Sequence, residues 1–168
     1  RGESAPLGVR FAVADAQGVR SRMEDRFCAS LSCSQRHKDV ALLAIFDGHG
    51  GVEAASVAAE LMVEEFARAL DESVELDVVR ALRAAFSRVE SEVMAALSDS
   101  QSKAGTTALV TVLTPTELTV ANLGDSRAVL SRRNFEILPL STDHKGSVTT
   151  ERERIVSEGG RVDPDGYV

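Results

Sequence analysis

Val40-Ala41-Leu42-Leu43-Ala44-Ile45-Phe46, followed at once by Asp47-Gly48-His49-Gly50-Gly51, is the stretch that decides the fold. A short continuous apolar run of this kind suits a strand covered on both faces. The glycine cluster breaks any regular element. A carboxylate, Asp47, is thereby left at the end of a buried strand. Downstream, Val52 to Leu70 is rich in Ala, Glu, Leu and Met and predicts a helix. A second helix is predicted from Asp77 to Leu97. There Val78, Leu82, Ala85, Phe86, Val89, Val93 and Leu97 recur at steps of three and four residues, and Asp77 is placed to cap the first turn.

Further outward the pattern changes period. Val9, Phe11 and Val13 alternate with less apolar neighbours and predict a strand. Ala16 to Ser21, with Gly18, reads as a turn, and Arg26 to Ser32 as another strand. Beyond a polar loop at Ser98 to Ala104, Thr106 to Leu113 and Leu118 to Leu123 read as strands joined by Thr114-Pro115-Thr116-Glu117. Gly124-Asp125 breaks the chain before a strand from Ser126 to Leu130, and Arg132-Arg133-Asn134 suits a hairpin turn. Thr149 or Thr150 caps a short helix through Glu158, closed by Gly159-Gly160. Strands, then two helices, then strands again favour an α+β fold over an alternating doubly wound sheet. With 168 residues and no linker, the chain reads as one domain, 1–168.

Composition narrows the function. Hydrophobic residues are 43% and charged residues 27% of the chain, enough for a real core. Asp and Glu number 26 against 19 Lys and Arg, a formal charge of -7. Such a surface argues against nucleic acid as partner, because a phosphate backbone wants clustered cations. No apolar run approaches membrane-spanning length, and Arg1 to Gly8 has no secretory signal. Cys28 and Cys33 are too few for a disulfide framework and read as reduced thiols. The expected location is therefore intracellular, cytoplasmic or nuclear.

Three acidic turns carry the chemistry: Met23-Glu24-Asp25, Asp47-Gly48-His49 and Gly124-Asp125-Ser126. Each puts a carboxylate beside a predicted strand end. Carboxylate and carbonyl oxygens are the donor set of the hard cations Mg²⁺ and Mn²⁺. Each Asp-Gly taken alone is equally a plain turn.

The segments Gly18-Val19-Arg20-Ser21-Arg22-Met23-Glu24-Asp25, Ile45-Phe46-Asp47-Gly48-His49-Gly50-Gly51, Gly105-Thr106-Thr107-Ala108, Ala121-Asn122-Leu123-Gly124-Asp125-Ser126-Arg127-Ala128 and Asp143-His144-Lys145, with Glu151 to Ile155 and Gly159 to Val162, occur in one order. That series resembles the motifs of the type 2C (PPM) protein phosphatases, from about Val9 to Val162. The resemblance implies an antiparallel β-sandwich flanked by helices, in α-β-β-α layers. It implies hydrolysis of phosphoserine and phosphothreonine in proteins, dependent on two Mg²⁺ or Mn²⁺ ions. By the same resemblance Asp47 matches the carboxylate bridging the metals, Glu24 a ligand of one, and Gly48 a backbone-carbonyl ligand. Asp25 matches an acidic partner of the metals' water shell, and Asp125 a residue linked to a weaker third metal. Arg20 matches the phosphate-binding arginine and His49 the general acid.

The residue types suit these roles. Two metals about 3.5–4 Å apart lower the pKa of a shared water toward neutrality. A guanidinium grips two phosphate oxygens in a fork that lysine cannot copy. Imidazole is the side chain fitted to proton transfer near neutral pH. Thr106 and Thr107 read as strand residues beside the site.

The chain also departs from the pattern. The family continues beyond the counterpart of Val168 and supplies further metal-ligating aspartates there. The expectation is a sandwich incomplete at its C-terminus, a first metal site short of carboxylates, and weak or no activity from this chain alone. Gly146 stands where the family usually has proline, which predicts a looser loop. Arg20 and Arg22 could equally be solvated surface charges. Two other functions remain open: a non-catalytic module that binds phosphoproteins, and a serine hydrolase built on Gly124-Asp125-Ser126-Arg127-Ala128 with His144 downstream. Nothing in the residues speaks to oligomeric state.

Overall fold

The computed structural model describes residues 2–4, 7–100, 102–164 and 166. In chain order the elements are β1 (Gly2–Ser4), β2 (Val9–Phe11), β3 (Arg26–Ser30), β4 (Ala41–Phe46), β5 (Gly48–His49), α1 (Glu53–Asp71), α2 (Val78–Ser100), β6 (Gly105–Thr106), β7 (Ala108–Leu113), β8 (Leu118–Leu123), β9 (Val129–Ser131), β10 (Ile137–Pro139) and α3 (Thr149–Ser157). Predictions attached to Tyr167 and Val168 lie outside the described residues.

The apolar run becomes β4, a central strand of a four-stranded antiparallel sheet in the order β3-β4-β7-β8. Register sorts its side chains. Leu42 stands opposite Val112 and Ala44 opposite Val110, and these four are buried on the helix side with Phe46. Residues one step along, Leu43 and Ile45, point the other way, as the period of two requires. Ile45 is 45% exposed and Phe27, its partner on β3, 49%. The expectation of a strand covered on both faces is thus corrected. Helices cover one face, while Ala12, Val13 and Ala14 line a shallow cavity of about 300 Å³ over the other.

Helices α1 and α2 pack on each other and close the helix-side core. Ala54, Ala55, Ala58 and Ala69 on α1 and Ala81 and Ala85 on α2 are buried. Their small side chains let backbones approach closely, while Met62, Phe66, Leu70 and Leu82 fill the space between. Each such large side chain, fully buried, stabilises the fold by roughly 1.5–3 kcal/mol. The α+β class with antiparallel sheets and flanking helices is as expected. The expected incompleteness of the double sheet is seen too: outside the four-stranded sheet, the described strands form only the ribbons β1–β2, β5–β6 and β9–β10.

Several local expectations meet the coordinates directly. Asp77 caps α2, its Oδ1 accepting the Arg80 N–H at 2.9 Å. The helix runs past Leu97 to Ser100, into the predicted loop. Ser98 and Ser100 turn their hydroxyls back onto the carbonyls of Met94 and Ala96, which accommodates serine inside a helix. Neither Thr149 nor Thr150 caps α3. Val148 is the N-cap and supplies no side-chain bond. The closing glycines behave as expected: Gly160 N–H donates to the Ile155 carbonyl and Gly159 N–H to that of Val156. The strand predicted from Ser126 begins only at Val129, because the Ala128 N–H bonds the Ser141 hydroxyl instead of a ladder partner. Gly146 is closely packed in its loop. It is buried, and a Cβ there would come within 2.7 Å of the Val162 side chain.

Candidate active site

The site forms where β3 begins and β4 ends. Arg26 pairs with Phe46, so the residues just before one and just after the other leave the same end of the sheet. That register brings Met23-Glu24-Asp25 beside Asp47-Gly48, although the sequence separates them by a whole hairpin. The approach is close: a Cβ on Gly48 would overlap the Glu24 carbonyl oxygen. Only glycine fits there. Next along, β5 pairs with β6 and sets His49 opposite Gly105. The imidazole lies across Gly105, where a Cβ would overlap Nε2.

Arg20, Glu24, Asp25, Asp47, Gly48 and His49 all line one open cleft of about 670 Å³. Arg20 reaches it from a turn in which its N–H donates to the Gln17 carbonyl at 3.3 Å and the Gln17 amide donates to the Arg20 carbonyl at 2.7 Å. Among the described residues no carboxylate is ion-paired to Arg20. An exposed, uncommitted guanidinium on a cleft wall is available to an anion.

The Asp47 carboxyl is held above the ordinary carboxylate range. Burial is the largest cause, followed by the charges of the neighbouring Asp25 and Asp125; His49 opposes the shift. Two carboxylates this close favour sharing either a proton or a cation.

Asp125 stands apart from the cleft wall. Its carboxylate is 3.3 Å from Lys145 Nζ. Lys145 also lies 3.8 Å from Asp143, which forms a two-bond fork with Arg127 at 3.0 and 2.8 Å. Asp125 therefore acts on Asp47 through its charge while its own nearest cation is a lysine. Sequence reading did not single out Lys145, nor the contact of His49 with Gly105. The threonine expected in a strand, Thr107, sits instead in the break between β6 and β7, bonded to the Asp47 backbone in both directions. The Gly105-Thr106-Thr107-Ala108 motif is the sequence signal for both Gly105 and Thr107.

A hard divalent cation fits this donor chemistry. The carboxylates of Asp25 and Asp47 disfavour each other's charge, the neighbouring donors are oxygens, and the free thiols of Cys28 and Cys33 are not among the cleft residues. Among the described residues, however, no three His, Cys, Asp or Glu side chains are gathered closely enough to hold an ion by themselves. The serine hydrolase alternative loses its support. Ser126 Oγ is 2.7 Å from Thr107 Oγ1, and no bond joins it to a histidine among the described residues.

A family model described as Protein phosphatase 2C matches residues 9–168. The chain belongs to the protein phosphatase 2C family. Among relatives in this family, "Protein phosphatase 1L" of Bos taurus is 35% identical over 161 residues, covering 92% of this chain and 44% of the relative. "Probable protein phosphatase 1N" of Homo sapiens is 40% identical over 164 residues, covering 96% of this chain and 37% of the relative. The chain thus spans about two fifths of the curated relatives it matches. Solved structures agree on the fold. One titled as a C. elegans sex determining protein superposes with a TM-score of 0.71 at 27% identity, over 86% of this chain and 36% of that one. A serine-threonine phosphatase 2C from Toxoplasma gondii gives a TM-score of 0.69 at 23% identity, over 86% of this chain and 52% of that one. Among the described residues no helix is long and apolar enough to cross a membrane.

Proposed function

We propose that this chain supplies part of the catalytic site of a metal-dependent phosphatase acting on phosphoserine and phosphothreonine in proteins. The observation that supports the reading is the single cleft onto which Arg20, Glu24, Asp25, Asp47, Gly48 and His49 all face. Glu24, Asp25, Asp47 and the Gly48 carbonyl are the residues that would hold Mg²⁺ or Mn²⁺, two ions in the complete site. When bound, such ions neutralise phosphate charge and acidify a water for in-line attack.

The chain's own groups do the rest. Arg20 grips two phosphate oxygens and fixes the orientation of the phosphorus. His49, held across Gly105, gives a proton to the departing serine or threonine oxygen. Asp25 stands beside Asp47 on the same cleft wall and adds its negative charge to the cation-binding end of the site. No side chain is required to form a covalent bond to the substrate. Because the chain spans about two fifths of its relatives, and three side-chain donors do not gather among the described residues, the chain by itself is expected to be weakly active or inactive.

Phosphate release from a phosphothreonine peptide, measured on the whole protein with Mn²⁺ and then with EDTA, tests the proposal. Release that EDTA abolishes is expected, and release indifferent to EDTA would refute it. The alternative reading is a non-catalytic module that binds phosphoproteins. Calorimetry separates the two: Mn²⁺ binding at two sites supports catalysis, and phosphopeptide binding without metal binding supports the module.

A further inference from the structure

Thr107 is buried, 8% exposed, and the chemistry above gives it no step. Four contacts hold it. The Asp47 N–H donates to Thr107 Oγ1 at 3.0 Å. The Thr107 N–H donates back to the Asp47 carbonyl at 3.0 Å. Thr107 Oγ1 lies 2.7 Å from Ser126 Oγ. Its methyl rests against Gly124, where a Cβ would come within 2.7 Å of Cγ2.

Because Thr107 Oγ1 accepts from Asp47, its own proton is free to go to Ser126. The hydroxyl thereby bridges two segments distant in sequence: the end of β4, which carries Asp47, and the 124–126 turn, which carries Asp125. A threonine needed only for strand packing has no use for a hydroxyl aimed at a neighbouring backbone; valine has the same shape. Both hydrogen bonds of the hydroxyl go to the segments that carry Asp47 and Asp125. Small misplacements of such supports are costly, since partners one step behind a metal ligand typically change affinity or activity about 10–100-fold.

We infer that Thr107 is a positioning residue: its hydroxyl sets where the Asp47 carboxylate stands and couples it to the Asp125 turn. The effect on turnover rests on the phosphatase reading, whereas the coupling rests on the geometry alone.

Thr107→Val and Thr107→Ser test it in the whole protein, with folding checked by circular dichroism. Three quantities are read: hydrogen exchange at the Asp47 amide, Mn²⁺ affinity by calorimetry, and kcat and KM on a phosphothreonine peptide. In Thr107→Val the Asp47 amide should exchange about tenfold faster, matching loss of one hydrogen bond. Mn²⁺ affinity and kcat should fall about tenfold, with KM nearly unchanged, and Thr107→Ser should restore all three. A folded Thr107→Val protein with unaltered Asp47 exchange and Mn²⁺ affinity overturns the inference, as does a serine variant no better than valine. Should Thr107→Val fail to fold, Ser126→Ala takes its place: faster Asp47 exchange supports the coupling and unchanged exchange refutes it. Should the unmutated protein neither bind Mn²⁺ nor release phosphate, the phosphatase reading fails, and the Asp47 amide alone decides the positioning role.

Discussion

Asp25 and Asp47 face each other at the end of the central sheet, and the charge of Asp25 helps to hold the Asp47 carboxyl above its ordinary range. Burial contributes most to that shift, then the charges of Asp25 and Asp125. The arrangement is strained when every carboxylate is ionised and relieved when a proton or a cation sits between them.

The pH dependence follows from the direction of the shift. A carboxyl whose pKa is raised by folding contributes stability below its unfolded pKa, near 3.9. That contribution is lost as pH rises through the higher folded value. In EDTA, Asp47→Asn should therefore melt at or slightly above the temperature of the unmutated protein at pH 7. The gain should stay under about 1 kcal/mol, because the site is open to solvent. At pH 4 the two should melt alike. Phosphate release should nonetheless fall by about 100-fold or more if Asp47 anchors the metals. Retained release would remove it from that role.

Metal should reverse the same penalty. At 100 times its dissociation constant, a ligand bound only by the folded state adds about 2.7 kcal/mol. Thermal melts with saturating Mn²⁺ should shift upward at pH 7 and much less at pH 4, where Asp47, with its raised pKa, favours a proton over the cation. A shift of equal size at both values would place the binding outside the acidic cluster.

Gly105 governs the position of His49. Gly105→Ala places a methyl where Nε2 now lies. The ring is exposed and can swing away, so the fold should survive. Turnover should drop about tenfold or more, the scale of a misplaced proton donor. Combined with His49→Ala, the alanine at 105 should cost nothing further, because two mutations removing one interaction do not add. Full additivity in the double variant would show that Gly105 acts elsewhere.

Asp71 ties the β3–β4 loop to the end of α1. Its carboxylate accepts the Ser34 hydroxyl at 2.6 Å and the backbone N–H groups of Gln35 and Arg36, each at 3.2 Å. The Ser34 bond leads in holding its carboxyl below the ordinary range. For a lowered pKa the sign is opposite to that of Asp47. Stability from Asp71 is present above the unfolded pKa and lost as pH falls through the lower folded value. Asp71→Ala should destabilise the protein by about 1–3 kcal/mol at pH 7, read by urea unfolding, and by less at pH 2.

The cysteines should be silent. Burial pushes the Cys28 thiol up to about 11 and that of Cys33 to about 12, and Cys33 donates to the Val40 carbonyl at 3.2 Å. With little thiolate at pH 8, neither should react with a disulfide reagent until the protein unfolds. Fast labelling in the native state would contradict their placement.

Legibility in the sequence followed the range of the interactions involved. Periodicity located α1 and α2 because their apolar faces repeat within a turn or two. Asp77 was readable as a cap because its partner, Arg80, is three residues away. The ends of α3 divide on the same ground: the glycines act locally and were read correctly, whereas Val148 at the other end carries no side-chain bond to announce it. The acidic turns were visible as separate strand ends, and the ordered motifs joined them by resemblance. The role of Thr107 was not visible, since its partners Asp47 and Ser126 lie 60 and 19 residues away.

Residue order alone determined the α+β class, the two long helices, the apolar centre of the sheet and the inventory of oxygen donors, all of which depend on near neighbours. Tertiary structure decided which of those donors meet. The pairing of Arg26 with Phe46 sets Asp25 beside Asp47, and Lys145 rather than another carboxylate stands nearest to Asp125. Such choices rest on register and on packing against other segments, and a one-residue slip in either would send the same side chains to opposite faces.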